Sequence, residues 1–561
     1  MMEAGLRNAV DPIRLEVIRN ALVAAAEEMS VAVYRAGRSN AIREMLDFST
    51  AVFDAEGRNI AQAARIPMHL NTMAPCLETI LRDFIPADEW EDGDVVVTND
   101  PYCGGSHLPD ILTFRPVYVG GHRVGFTGTM CHHSDIGGPA PGSYNTAATE
   151  IYAEGLRIPP LKIKARGEVN AGVLAMLLQN VREPVTFRGD FMAQIAALDI
   201  GAGHILRLGD KYGLATVTQA SAQILEQSEA AVRRTIESVP DGEYAFEDYV
   251  DDDGISPDPI RIAVRLSVLG DRVIVDFTGT SSQAAGPINC TLNVAKCSVY
   301  YAVIAGLGGE FQANSGCYSP IEVIAPEGTV VNAQPPAPVV NRIAVGHRVV
   351  NVILGALSQA RPDHIPAAYY GVSYLYALQA NDGDQKGSVY LDSIVGGWGA
   401  EPSRDGASSF SCGLHNIASI PIEMIEDRHP IMFTRYALRP DSGGAGKYRG
   451  GLGMIREWRL ESDEGVFAAN FDRFRYPPFG LDGGGSGAVG RLTLSRDGET
   501  RALGSKVGGV TLRRGDVITV ETSGGGGFGA PSERDPAAIE ADVETGYVTV
   551  ASAASDYGPS G

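Results

Sequence analysis

The sequence predicts a multidomain α+β protein with mixed α/β N-terminal and central parts, a helical segment, and a glycine-rich β C-terminal part. Three observations predict it. A chain of 561 residues, 44% hydrophobic and 20% charged, buries a large core and has room for two to four folding units. Helical and strand periods follow one another up to about residue 430. Glycine then crowds the remainder, in GGAGKYRGGLG (443–453), GLDGGGSG (480–487) and GGGGFG (524–529).

From the N-terminus, Ile13, Ile18, Leu22, Ala25, Met29 and Val33 recur at helical spacing, so residues 12–37 read as an amphipathic helix opening after Asp11 and Pro12. DFSTAVFDAEGRNIAQ (47–62) alternates and turns at Glu56-Gly57 as a hairpin, and a second helix is expected from Leu70 to Phe84. DVVVTND (94–100) is a short strand running into a glycine-rich loop, which completes an α/β region at 1–165. A helical segment, 166–240, follows, because residues 168–237 are rich in Ala, Leu, Gln and Glu with few breakers; it closes at the turn Pro240-Asp241-Gly242. IRIAVRLSVLG and RVIVDFTGT then read as strands, with helices near 291–307 and 342–360, in a central α/β region at 241–430. RLTLSRDG and VITVETS supply strands of a β region at 431–532, whose glycines read as tight turns. The tail, 533–561, is expected to form a short helix and an exposed end.

Composition removes several classes of function. A formal charge of −22 repels phosphate backbones and anionic lipid surfaces, so neither nucleic acid nor a membrane is an expected partner. The opening MMEAGLRNAVDPIRLEV has no continuous apolar stretch of the kind that a leader needs, so a cytoplasmic location is expected. Its seven cysteines (76, 103, 131, 290, 297, 317, 412) are scattered and contain no CxxC pair, as suits a reducing compartment without a cysteine zinc site.

The chemistry-bearing residues cluster. Four of the ten histidines (107, 122, 132, 133) fall within 27 residues that also contain Asp110 and are flanked by Asp100 and Asp135. In NDPYCGGSHLPD (99–110), His107 and Asp110 lie three apart and can meet at one point if the segment coils. RVGFTGTMCHHSDIGG brings a strand to a second His/Asp group, and strand alternation turns His132 and His133 to opposite faces, so only one of them joins His107 and Asp110. Two histidines with carboxylates form a mixed N/O shell suited to zinc, manganese or ferrous iron rather than calcium. A lone buried histidine is more often structural than a ligand; the clustering reverses that balance. Glu150 and Glu154, four apart in TEIYAEG, could stack on a helix face as an acid–base pair on the substrate side, although two solvated carboxylates are the commoner outcome.

These segments, with DFSTAVFD before them and GKYRGGLG and GGGGFG after, resemble the hydantoinase B/oxoprolinase family from about residue 10 to about 532. The resemblance implies the metal-bearing subunit of an ATP-dependent cyclic amide hydrolase acting on hydantoin, oxoproline or lactam rings. It implies one divalent metal, zinc or manganese, held by Asp47, His107, Asp110 and His132, with His133 the alternative to His132 as ligand, and with His133 and Asp135 otherwise left to support the ligands or transfer protons. His69, in IPMHL, matches a family position near the site and joins Glu150 and Glu154 as a substrate-side candidate. One departure is Glu44-Met45-Leu46 ahead of Asp47, where the family often carries arginines, which leaves substrate preference open.

No GxxxxGK[ST] occurs, and Gly485, Gly487 and Gly490 precede a strand where a dinucleotide site needs a helix. The resemblance accordingly implies a hydantoinase A-type partner that binds ATP, in a heterotetramer or larger assembly. Two other readings are an acetone-type carboxylase subunit, whose large chains run considerably longer, and a non-catalytic scaffold around a closed metal site.

Overall fold

The N-terminal helix starts where a cap and a proline put it. The Asp11 carboxylate accepts a hydrogen bond from Arg14 N at 3.1 Å, and Pro12 occupies the first turn, where its missing N–H costs nothing. The computed structural model describes residues 10–381, 389–411 and 413–558, which leaves Cys412 and the first nine residues outside. Helix α1 (Pro12–Ala36) buries Leu15, Ile18, Leu22, Ala25, Met29 and Val33, while Ile13, assigned to the same face, is 77% exposed because it precedes the first packed turn.

Strands β1 (Phe48–Phe53) and β2 (Asn59–Gln62) form the expected hairpin, with Gly57 at φ 87° in its turn. Helix α2 (Pro67–Thr79) begins three residues earlier than expected, because Pro67 opens it, and continues as a π-helical turn over Ile80–Phe84. Strands β3 (Val95–Thr98), β4 (Asp110–Val119), β5 (His122–His132), β6 (Leu161–Ala165) and β7 (Glu168–Val169) complete an antiparallel seven-stranded sheet in the order β2-β1-β5-β4-β3-β6-β7. Helices α3 (Ala171–Gln179), α4 (Pro184–Tyr212) and α5 (Leu214–Ile236) follow. Helix α4 lies across β4, β5 and α1, so its Phe187, Phe191, Ile195 and Leu198 share a core with Phe48 and Cys131.

A second sheet runs β11-β10-β9-β8, from β8 (Gly242–Val250), β9 (Ile260–Leu269), β10 (Arg272–Asp276) and β11 (Ile321–Ile324), the last pair parallel. Helices α6 (Leu292–Leu307) and α7 (Arg342–Ala360) pack against each other, and α7 also covers β8 and β9. Among the described residues, α7 is the one helix long and apolar enough to cross a membrane, and 83% of the qualifying stretch is buried inside the protein as a core helix.

The remaining strands are β12 (Tyr374–Asn381), β13 (Val389–Ile394), β14 (Ile431–Leu438), β15 (Met454–Leu460), β16 (Glu464–Asn470), β17 (Arg491–Arg496), β18 (Glu499–Leu503), β19 (Lys506–Arg513) and β20 (Val517–Glu521). They make two antiparallel sheets, β13-β12-β16-β19 and β14-β15-β20-β17-β18, the first joining strands from both sides of residue 430. The glycines here do more than turn the chain. A Cβ on Gly525 would sit 1.8 Å from Trp398 O, so GGGGFG threads between neighbouring backbones where no side chain fits. The tail forms two short helices, α8 (Pro536–Glu544) and α9 (Val550–Asp556), in place of the single one expected.

A buried charge network ties the central and C-terminal sheets together. Arg348 of α7 bonds Asp248 of β8 at 3.2 Å and also Asp472, just past β16; Asp472 in turn meets Lys506 of β19 at 3.3 Å. Arg473 reaches Asp248 at 3.0 Å. Each charge has a partner, which is the condition for keeping ions out of water.

Candidate metal centre

The β4–β5 hairpin and the loop before it build the site. Asp110 opens β4 and His132 closes β5, and the antiparallel register sets them opposite each other. The loop that brings His107 is pinned by Asn99, whose Nδ2 donates to Leu108 O and whose Oδ1 accepts from Ile158 N, both at 2.7 Å. At its bend Gly104 has φ 109°, and a Cβ there would come within 2.6 Å of Cys76 Cα. Asp110 N then donates to His107 O at 3.0 Å, the coiling that the three-residue spacing required. On the other side His132 N donates to Asp47 O at 3.0 Å, and Leu46 takes a left-handed φ of 58° just before Asp47.

His107, Asp110 and His132 are buried, and each offers a ligand atom within 4.8 Å of the others. His107 Nδ1 lies 3.1 Å from Val340 O. A carbonyl only accepts, so this nitrogen carries the proton, and Nε2 presents its lone pair 3.2 Å from Asp110 Oδ2. Burial holds the His107 ring neutral, with its pKa pushed down to about 4, and holds His132 well below the ordinary histidine range. Asp110 stays ionised despite its own burial, because His107, His69 and Arg342 surround it. Its Oδ2 accepts from Arg342 Nη2 at 2.9 Å and from Ser106 Oγ.

His69, in the first turn of α2, stands between two carboxylates: Nε2 is 3.5 Å from Asp47 Oδ1 and 3.5 Å from Asp110 Oδ1. Burial raises Asp47 to about 6, against the pull of His69. Asp47, His69, His132, Tyr144, Arg342 and His415 wall a cavity of about 50 Å³. Within this group His107 Nε2, His132 Nδ1, His69 Nδ1 and Asp110 Oδ1 are buried without a hydrogen-bond partner. Buried orphans cost roughly 1–3 kcal/mol each, and ligand atoms of His107, Asp110 and His132 gathered within 4.8 Å of one another fit a divalent cation with N/O preference.

The other expected residues are placed elsewhere. Period-two alternation turns His133 away, its ring 4.6 Å from that of Phe187 and its Nε2 3.4 Å from Gln194 Oε1. Asp135 is engaged by Arg182 at 2.6 Å and by Gly137 N at 3.0 Å. Both residues therefore lie apart from the group formed by His107, Asp110 and His132. Nor do Glu150 and Glu154 stack on a helix: the segment between them is one 3₁₀ turn over Ile151–Ala153, with Glu150 exposed and Glu154 buried. Glu154 Oε1 accepts from Val339 N at 2.7 Å and Val340 N at 2.8 Å, which holds the chain leading into α7.

Sequence reasoning missed Arg342, Tyr144 and His415. Tyr144 Oη lies 3.1 Å from His132 Nε2, and the His415 ring packs at 4.6 Å against that of His347. Arg342 heads the stretch RIAVGHRVVNVILGAL, which also carries His347, Arg348 and Asn351, so its charge alone does not single it out.

Comparison with known proteins gives a consistent picture. The model of the hydantoinase B/oxoprolinase family matches residues 11–531. The B subunit of a putative D-/L-hydantoinase of Pseudomonas sp. (strain NS671) is 35% identical over 98% of this chain and 95% of its own length. The beta subunit of the caprolactamase of Pseudomonas jessenii is 33% identical over 98% of this chain and 96% of its own length. The crystal structure of the ATP-dependent caprolactamase from the same organism superposes with a TM-score of 0.92 at 31% identity, over 98% of this chain and 96% of that one. Nucleotide-free acetone carboxylase shares the fold, with a TM-score of 0.88 at 18% identity over 98% of this chain and 79% of that one.

Proposed function

Because the chain belongs to the hydantoinase B/oxoprolinase family, we propose that it is the metal-bearing catalytic subunit of an ATP-dependent cyclic amide hydrolase. The observation that carries this reading is the convergence of His107, Asp110 and His132 on one buried point. These three hold a single zinc or manganese ion, with Asp47 as the fourth ligand. When bound, such a cation supplies Lewis acidity and a water nucleophile at neutral pH.

The protein's own groups then orient the chemistry. Val340 O fixes the His107 tautomer, while Arg342 and Ser106 keep Asp110 ionised and aimed. The substrate arrives as an O-phosphorylated cyclic amide, activated by a hydantoinase A-type partner that binds ATP. Water adds to the activated carbon, and a proton passes through His69, held between Asp47 and Asp110, to the ring nitrogen. The C–N bond breaks, the nitrogen leaves as an amine carrying both protons of that water, and an acyl phosphate remains. A second water releases phosphate last. Relatives described as the B and beta subunits of their enzymes support a heteromeric assembly, a heterotetramer or larger.

The test is to purify the chain with and without a hydantoinase A-type partner and to offer hydantoin, 5-oxoproline and caprolactam, with and without ATP. Ring opening is expected for at least one of them, and only with both chains, ATP and metal present. Turnover by this chain alone, or by metal-stripped protein, overturns the reading.

A further inference from the structure

Among the described residues that wall the small cavity, Arg342 is the sole permanent cation. It is the first residue of α7, is 6% exposed, and has its guanidinium on Asp110. Nη2 is committed to Asp110 at 2.9 Å and to Ser106 Oγ at 3.1 Å, Nη1 makes a long contact with Val340 O at 3.4 Å, and Nε has no hydrogen-bond partner. Tyr144 is hydrogen-bonded to the same guanidinium, and Nε remains the unspent donor beside the metal ligands.

The charge balance says what they are for. A cation is held by carboxylates and neutral imidazoles, so as ligands Asp47 and Asp110 bring two negative charges, against the single positive charge of Arg342. A divalent cation converts this to one net positive charge beside the buried guanidinium of Arg342. An uncompensated buried charge is costly, so the loaded cavity favours a ligand that brings negative charge with it.

We propose that Arg342 is a binding residue of the cation-loaded site and seats an oxyanion of the substrate, the phosphoryl group of the activated amide. This rests on the amide-hydrolase reading and deepens it. A neutral ring that has not been phosphorylated brings no charge to neutralise the site, so binding itself discriminates for the activated form and ring opening waits on ATP. The guanidinium, with its planar fork, suits a phosphoryl oxygen better than a lysine would.

The test is calorimetric titration of inorganic phosphate, and separately of acetate, into the zinc-loaded full-length chain. Wild type is compared with Arg342→Gln and Arg342→Lys, with metal content measured for each. Wild type should bind phosphate more tightly than acetate. Arg342→Gln, reconstituted with zinc to the metal content of wild type, should lose phosphate affinity by about 10- to 100-fold, and Arg342→Lys should fall between the two. If Arg342→Gln does not fold, Arg342→Lys decides, because a fork-specific seat is weakened by it. Equal phosphate affinity in wild type and variants, or no phosphate binding by wild type, overturns the proposal. Acetate bound as tightly as phosphate overturns it in favour of a substrate carboxylate. Failure of ring opening with Arg342-dependent phosphate binding intact removes the amide-hydrolase reading and leaves the oxyanion seat standing.

Discussion

Asp110 and His132 are direct cross-strand partners in the β4–β5 ladder. Their side chains share one sheet face at adjacent positions, and His133, one residue on, points to the other face among Phe187 and Phe191. This pairing separates the two histidines experimentally. His107→Ala, Asp110→Ala and His132→Ala are each expected to lose about one divalent ion per chain by elemental analysis. His133→Ala and Asp135→Ala are expected to keep it. Retention of metal in His132→Ala together with its loss in His133→Ala would reverse the assignment.

Glu154 gives a pH signature. Its folded-state pKa is raised from 4.5 to about 8, chiefly by burial. Below the ordinary glutamate range both folded and unfolded chains hold the proton. As pH rises towards 8 the unfolded chain releases it and the folded one does not, so stability falls across that window, by at most about 5 kcal/mol. Glu154→Gln keeps an acceptor for Val339 N and Val340 N without the ionisation. Urea unfolding at pH 5 and pH 8.5 should show a smaller difference for this variant than for wild type, and an equal difference would exclude Glu154 as the source.

The legibility of the site in the sequence follows the range of the interactions involved. Asp110 and His107 are separated by one turn and His132 by one hairpin, so spacing and alternation sufficed to group them. Arg342 lies more than 200 residues from Asp110 in sequence, and no local period announces such a contact. Much of the fold was legible for the same reason: α7 was placed at 342–360 by its apolar run, and β17 and β20 by alternation. The C-terminal glycines were misread because positive φ and close backbone approach leave the same letter, and only the neighbouring chain at Trp398 tells them apart.

The buried network around Asp472 is expected to be the most damaging polar site to open. Asp472→Ala leaves Arg348 and Lys506, both nearly inaccessible to solvent, short of a partner. Removing one member of a buried pair costs about 3–5 kcal/mol, and chemical denaturation should show a loss of that size. Asp463→Ala, which breaks an exposed pair with Arg514, should cost less than about 1 kcal/mol. A similar small cost at both positions would mean that water reaches the network.

Gly525 and Gly498 separate the two uses of glycine. At Gly525 a Cβ would lie 1.8 Å from Trp398 O and 2.1 Å from Trp398 C, both backbone atoms of a neighbouring segment. Neither can yield without displacing the glycine layer formed with Gly450 and Gly451, so Gly525→Ala should give insoluble or unfolded protein. Gly498 sits at φ 83° in the β17–β18 turn with nothing within 4 Å of its Cβ position. Gly498→Ala meets only the backbone strain of a left-handed residue, about 1–2 kcal/mol, and should fold with a modestly lowered Tm. Circular dichroism melts of the two variants decide the point. A well-folded Gly525→Ala with a wild-type melt would show that the glycine layer is looser than its backbone spacing requires.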